Sequence, residues 1–189
     1  MFGVYSRMTT FRTILILLAA FLAVFWEAAF PATSRWLNAQ VDLLPALMVY
    51  ASLRFGLPAI ALLAVCGGLF FDSLSANPLG ISIVPLFAVG LAIFWRRELI
   101  LRDQPYAQFV LGLGASATAP LLTILLLLTA GHQPLLGWGS LWQWLVMSLG
   151  GAIATPFFFL LFGWFERALG NDHVSETSFR PDREIRRGK

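Results

Sequence analysis

The chain has 189 residues, 58% of them hydrophobic and 12% charged, with a mean hydropathy of +0.76 and a formal net charge of +3. So short a chain cannot enclose that much apolar surface in one aqueous core, so its solvent is expected to be lipid, with no room in these residues for a second soluble domain. The single cysteine, Cys66, excludes an internal disulfide framework and a thiolate metal site, and the basic residues do not gather on an aromatic-interleaved face suited to nucleic acid.

A bilayer crossing takes about 20 mostly apolar residues, so the composition predicts an all-α integral membrane protein of six transmembrane helices. Residues 1–12 form a basic N-terminus, 13–165 the membrane domain and 166–189 a charged tail. Helix 1 is expected over about residues 13–30. The Trp26, Glu27, Phe30 region lacks the small residues of a signal-peptide cleavage site, so the segment is read as a retained helix. A polar loop follows over 31–40, holding Arg35 and Asn38.

The apolar stretch 43–71 would be about 43 Å long as one helix, against a hydrocarbon core of about 30 Å. It must therefore break, and Arg54-Phe55-Gly56-Leu57-Pro58 supplies the break, since Gly permits a turn and Pro cannot continue the hydrogen-bond ladder. Helix 2 is expected over 38–53 and helix 3 over 57–74. Helix 4 is expected over 79–95, with Pro78 at an early position and Pro85 kinking it. Helix 5 is expected over 106–130, ended by Gly131-His132-Gln133-Pro134, and helix 6 over 141–165. From Glu166 on, the last 24 residues carry six Lys/Arg and five Asp/Glu with no apolar periodicity, a composition expected to be disordered.

With both termini on one side, every Lys and Arg except Arg35 falls on that side, which the positive-inside rule makes the cytoplasm. Fusing helices 2 and 3 would put Arg54 in mid-membrane and move Arg96 and Arg97 outside, so the charge distribution argues for the hairpin independently of length. Trp36, Trp95, Trp138, Trp142 and Trp164 lie near expected helix ends, where indole is favoured at the headgroup level.

Ionisable groups inside a span are functional candidates, because an uncompensated charge at the bilayer centre costs about 2.5–3.5 kcal/mol. Glu27, Asp42 and Asp72 are the candidates, all in the same leaflet of this topology. Interfacial hydration or helix capping is the plainer use of each. For Asp72 the expected use is specific: with Gly67 and Gly68 allowing close helix approach and Asn77-Pro78 turning the chain, its carboxylate accepts the free N–H groups at the start of helix 4 and locks that corner.

The run Val41-Asp42-Leu43-Leu44, the Arg54-Phe55-Gly56 hairpin, the Gly68 to Asp72 segment and Pro78-Leu79-Gly80-Ile81-Ser82 resemble, in order and spacing, the central signature of the MreD family of rod shape-determining proteins. The resemblance covers roughly residues 10–165. It implies a non-enzymatic component of the bacterial cell-wall elongation machinery in the inner (cytoplasmic) membrane, without cofactor or metal. The implied partners are an MreC-like scaffold and, through it, MreB, RodA and a penicillin-binding transpeptidase. Glu27, Asp42, Gly68, Asp72, Pro78, Leu79 and Gly80 are then structural or partner-contact candidates, and Gly67, Gly68, Gly112, Gly114, Ala115, Gly150 and Gly151 are places where a partner helix could pack.

No nucleophile with a base and an orienting group, no HExxH and no Walker loop occurs, and the two histidines, His132 and His173, fall on opposite sides of the membrane. An enzyme is therefore not expected. The alternative is the six-helix substrate-binding component of an energy-coupling-factor vitamin or small-molecule importer, an architecture to which MreD is similar. Glu27, Asp42, Asp72 and His132 would then converge on one outer pocket.

The topology is directly testable. In a background lacking Cys66, Thr33→Cys and Gln133→Cys are expected to react with an impermeant thiol reagent added outside intact cells. Gln104→Cys and Glu176→Cys are expected not to react. Outside labelling at position 104 would remove the hairpin.

Overall fold

Proline at the first positions of three segments, a glycine-proline break and long leucine-rich runs give the chain its helices. In the computed structural model the described residues are 2–29, 39–75, 78–100, 104–131 and 137–168, with side chains from Thr13 onward. Among them are six α-helices and no strand: α1 Phe2–Ala29, α2 Leu44–Arg54, α3 Leu57–Leu74, α4 Ile83–Arg96, α5 Pro105–Thr129 and α6 Trp138–Ala168. A single 3₁₀ turn, Arg97–Leu99, follows α4. Helices α2, α3 and α5 carry Pro in the first turn, where the missing N–H has no intrahelical partner to lose. Residues 30–38, 76–77, 101–103, 132–136 and 169–189, with Arg35, Trp36, His132, His173 and the charged tail expected to be disordered, lie outside the described residues.

Three helices are long and apolar enough to cross a membrane, Leu57–Leu74, Pro105–Thr129 and Trp138–Phe165, and they mark the chain as a membrane protein. The apolar parts of α1 (Thr13–Ala29) and α4 (Ile83–Arg96) are shorter. At 1.5 Å per residue, the 11 residues of α2 extend only about 16 Å, roughly half a hydrocarbon core. The expected six helices are present, while span length is met by three of them.

The break between α2 and α3 falls at Phe55 and Gly56. Phe55 N–H closes α2 on Ala51 O (2.8 Å), and Gly56 O accepts from Ala59 and Ile60 as α3 begins. Arg97, in the 3₁₀ turn after α4, fastens this corner, donating to Phe55 O (3.4 Å) while its guanidinium lies 4.2 Å from the Phe94 ring centre.

Two expectations for α4 are corrected. It starts at Ile83, not at Leu79, so Pro78 precedes a turn and lies outside the helix, and Pro85 sits in the first helical turn where it disrupts no ladder bond. Likewise α2 starts at Leu44, because residues 39–43 run as non-helical backbone.

Helix α2 is the centre of the molecule. Every residue from Leu44 to Leu53 is buried, and α2 touches each of the other five helices. At its C-terminal end Tyr50 stacks on Phe162 (centroids 4.5 Å) and meets Phe159 edge-on (4.9 Å), joining α2 to α6. Each buried apolar side chain of this kind contributes through contact with its neighbours, since no water is available to expel between helices in lipid.

The closest helix approach is between α5 and α6. Gly112 and Ser116, four apart on α5, interlock with Gly151 and Thr155, four apart on α6. A Cβ at Gly151 would collide with the Ser116 side chain, and one at Gly112 with Thr155 and, at 2.7 Å, with Gly151 O. These residues therefore serve the chain's own packing, as do Gly67 against Leu44, Gly68 against Ile83 and Gly150 against Val41, which removes them from the surfaces available to a partner helix. Gly114 alone in that set has nothing within 4 Å of an added Cβ.

This contrast sets a measurable expectation. Gly112→Ala and Gly151→Ala should each lower stability by about 1–3 kcal/mol through overpacking, read as a fall in the thermal midpoint of the purified protein in detergent. Gly114→Ala should leave the midpoint unchanged.

Candidate functional site

A helix that starts inside an apolar bundle exposes N–H groups that neither lipid nor its own first turn can satisfy. At one end of the bundle, where α1 and α3 finish and α2 and α4 begin, three carboxylates meet this demand.

Asp72, on the last turn of α3, is 2% exposed. Its Oδ2 accepts from Gly80 N–H (2.8 Å) and Ser82 N–H (3.1 Å), and its Oδ1 accepts from Ser82 Oγ–H (2.5 Å). Ser82 is the residue immediately before α4, so Asp72 caps that helix from its predecessor. Gly80 takes φ +90°, a left-handed conformation costly to residues with a Cβ, and so directs its N–H into the carboxylate. Gly68, one turn before Asp72, leaves room for Ile83, whose backbone would stand 3.0 Å from an added Cβ.

Glu27 and Asp42 act on the start of α2 in the same way. Leu43 N–H donates to Glu27 Oε1 (2.6 Å), and Leu44 N–H donates to Asp42 Oδ1 (2.9 Å). Both acids lie at the N-terminal end of α2, where free N–H groups need acceptors. Glu27 Oε2 is buried and has no hydrogen-bond partner among the described residues. The non-helical approach to α2 is tied down by Gln40 and Gln143: Gln40 N–H donates to Gln143 Oε1 (3.1 Å), and Gln143 Nε2 donates to Gln40 O (3.0 Å). Trp144 Nε1 donates to Ala117 O (2.9 Å), linking α6 to the middle of α5.

A cavity of about 210 Å³ lies between these corners, with Asp42, Ser82, Phe71, Thr123 and Met147 in its wall. The structure thus brings Asp72, Gly80 and Gly68 into one corner and Glu27 and Asp42 into a second, with the cavity between them. Pro78 and Leu79 lie on the outside of the turn, where Leu79 is 72% exposed. His132 lies outside the described residues. No group of three or more His, Cys, Asp or Glu capable of holding a metal is found among the described residues.

Ser82 escaped sequence reasoning because an expected helix start at Leu79 placed it in the helix body. Its signal was a serine before an apolar run, an ordinary helix-start residue. The Gln40–Gln143 pair is 103 residues apart in sequence and left no local signal.

Fold and site together define an all-helical membrane protein with carboxylate-capped corners at one end. Comparison of the chain with protein-family models, with curated proteins and with solved structures finds no match.

The corner makes a clear distinction between charge and shape. Asp72→Ala leaves the buried Ser82 N–H and hydroxyl and the half-buried Gly80 N–H without their acceptor and should cost about 2–4 kcal/mol. In Asp72→Asn the amide oxygen can take both N–H groups while its NH₂ donates to Ser82 Oγ, so the loss should stay below about 1 kcal/mol. Thermal unfolding of the two variants in detergent checks the order, and equal destabilisation would show that the charge itself is required.

Proposed function

We propose that this chain is a non-enzymatic, six-span membrane component of the bacterial cell-wall elongation machinery, with both termini cytoplasmic, that maintains rod shape by binding an MreC-like scaffold. The reading rests on the residue resemblance to the MreD family, not on a matched relative. The observation that supports it is the Asp72–Gly80–Ser82 corner. The residues that carry the resemblance are the ones that turn the chain, and their polar groups are engaged with backbone N–H groups, which suits a rigid docking body. Exposed Leu79 and Trp138 flank this end and offer apolar contact to the periplasmic portion of a scaffold. Arg54, Arg96, Arg97 and Arg167 stand at the opposite helix ends, the arrangement the positive-inside rule assigns to the cytoplasm.

A second reading is supported by the cavity beside Asp42 and Ser82: the substrate-binding component of a small-molecule importer, with the ligand held between the capped corners.

Depletion in a rod-shaped host separates them. The elongation reading expects cells to become round while growth continues for a time, and a bitopic scaffold protein to co-purify from native membranes. Cells that remain rods, with no scaffold recovered and a small molecule retained through purification, would replace it with the importer reading.

A further inference from the structure

The outward face of the α4–α5 pair carries a second cavity, of about 580 Å³, that opens to the surroundings of the bundle. Its floor is Val89, Ile93 and Ala115, all buried, and its walls are set back because Ala88, Ala92 and Gly114 are too small to fill the space. Thr118 adds no polarity, since its hydroxyl donates to Gly114 O in its own helix (2.8 Å). Water finds no partners in an apolar slot of this size, and leaving it empty forfeits dispersion contacts, so a hydrocarbon occupant is favoured there.

The end of the slot indicates the occupant. On α4, Ala88, Ala92 and Arg96 follow one another at intervals of four, so Arg96 continues the lining stripe one turn, about 6 Å, beyond Ala92. On α5 the matching stripe is Thr118, Gly114, Val110 and Tyr106. Arg96 is exposed, and Trp95 and Tyr106 beside it are 74% and 77% exposed, the side-chain types that settle at the headgroup level. Arg97, by contrast, is held by the Phe94 ring and Phe55 O. Glu98, in the 3₁₀ turn, is the one acid near the mouth among the described residues, against two arginines.

We propose that this groove is a binding site for an anionic phospholipid, with an acyl chain between α4 and α5 and the phosphate at Arg96. A cationic group one turn beyond an apolar slot, at the level of an aromatic belt, is complementary to a phosphate joined to a hydrocarbon chain. The site is separate from the capped corners and does not depend on the elongation reading. The groove supplies chain contact to any phospholipid, and Arg96 supplies the preference for negative charge.

The test is native mass spectrometry of the full-length protein in detergent, titrated with dioleoylphosphatidylglycerol or with dioleoylphosphatidylcholine, which share the same chains. Phosphatidylglycerol should bind about five-fold more tightly, the effect of one arginine at a charged surface. Arg96→Gln should remove that preference, whereas Arg167→Gln, on α6, should leave it intact. Gly114→Leu should fill the groove and weaken both lipids. Its Cβ meets nothing within 4 Å, so the fold should hold, and Ala92→Leu gives the same reading from the other wall if it does not. Equal binding of the two lipids, or equal losses in Arg96→Gln and Arg167→Gln, would overturn the site. A photo-crosslinker at position 114 that captures polypeptide and no lipid in native membranes would assign the groove to a partner helix and overturn it as well.

Discussion

The structure depends on one constraint: backbone N–H groups at helix starts must be paired where no water reaches them. Leaving such a group unpaired in an apolar setting costs several kcal/mol, more than most single packing contacts return. Two helices, α2 and α4, begin inside the bundle, and each is met by carboxylates, Glu27 and Asp42 for the first and Asp72 for the second. Asp42 and Asp72 lie close in sequence to the helix they cap, while Glu27 reaches across from α1. The caps thereby decide tertiary position as well as helix start, since Leu43 can be satisfied only while α1 stays in place.

The second organising feature is the enclosure of α2. A helix surrounded by five neighbours needs small residues where those neighbours meet, and the chain supplies them mainly at the α5–α6 crossing and at the α3–α4 corner. The absence of a Cβ at Gly112 and Gly151 lets the small side chains of Thr155 and Ser116 fit against them and brings α5 and α6 together without intervening bulk. Ser116 Oγ is buried there with no hydrogen-bond partner among the described residues, a local cost accepted for close approach. Where α4 and α5 diverge, the same small-residue chemistry leaves open space instead of contact.

The sequence made some of this legible for physical reasons. The α2–α3 break was readable because one helix over that stretch exceeds the bilayer, and α3 begins and ends at the expected residues. Helix α5 differs from expectation by one residue at each end. The Asp72 interaction with the start of α4 was readable because donor and acceptor are eight and ten residues apart. The start of α4 itself was misplaced, because Pro78 suits a first helical turn and nothing local shows that the chain makes another turn before Ile83. Glycine spacing showed that close approaches exist but not whether a neighbour belongs to the same chain. The roles of Glu27 and Gln143 depend on partners 16 and 103 residues distant, which no local pattern encodes.

The brevity of α2 bears on how the protein is made. A segment of about 16 Å is too short to hold itself across a bilayer, so the position of α2 rests on the helices packed around it. Its flank is then closed by Tyr50 meeting Phe159 and Phe162, residues synthesised more than a hundred positions later. Until those residues arrive, the middle of the molecule has an open side. The finished interior around α2 is therefore a product of α6 as much as of the residues that occupy it.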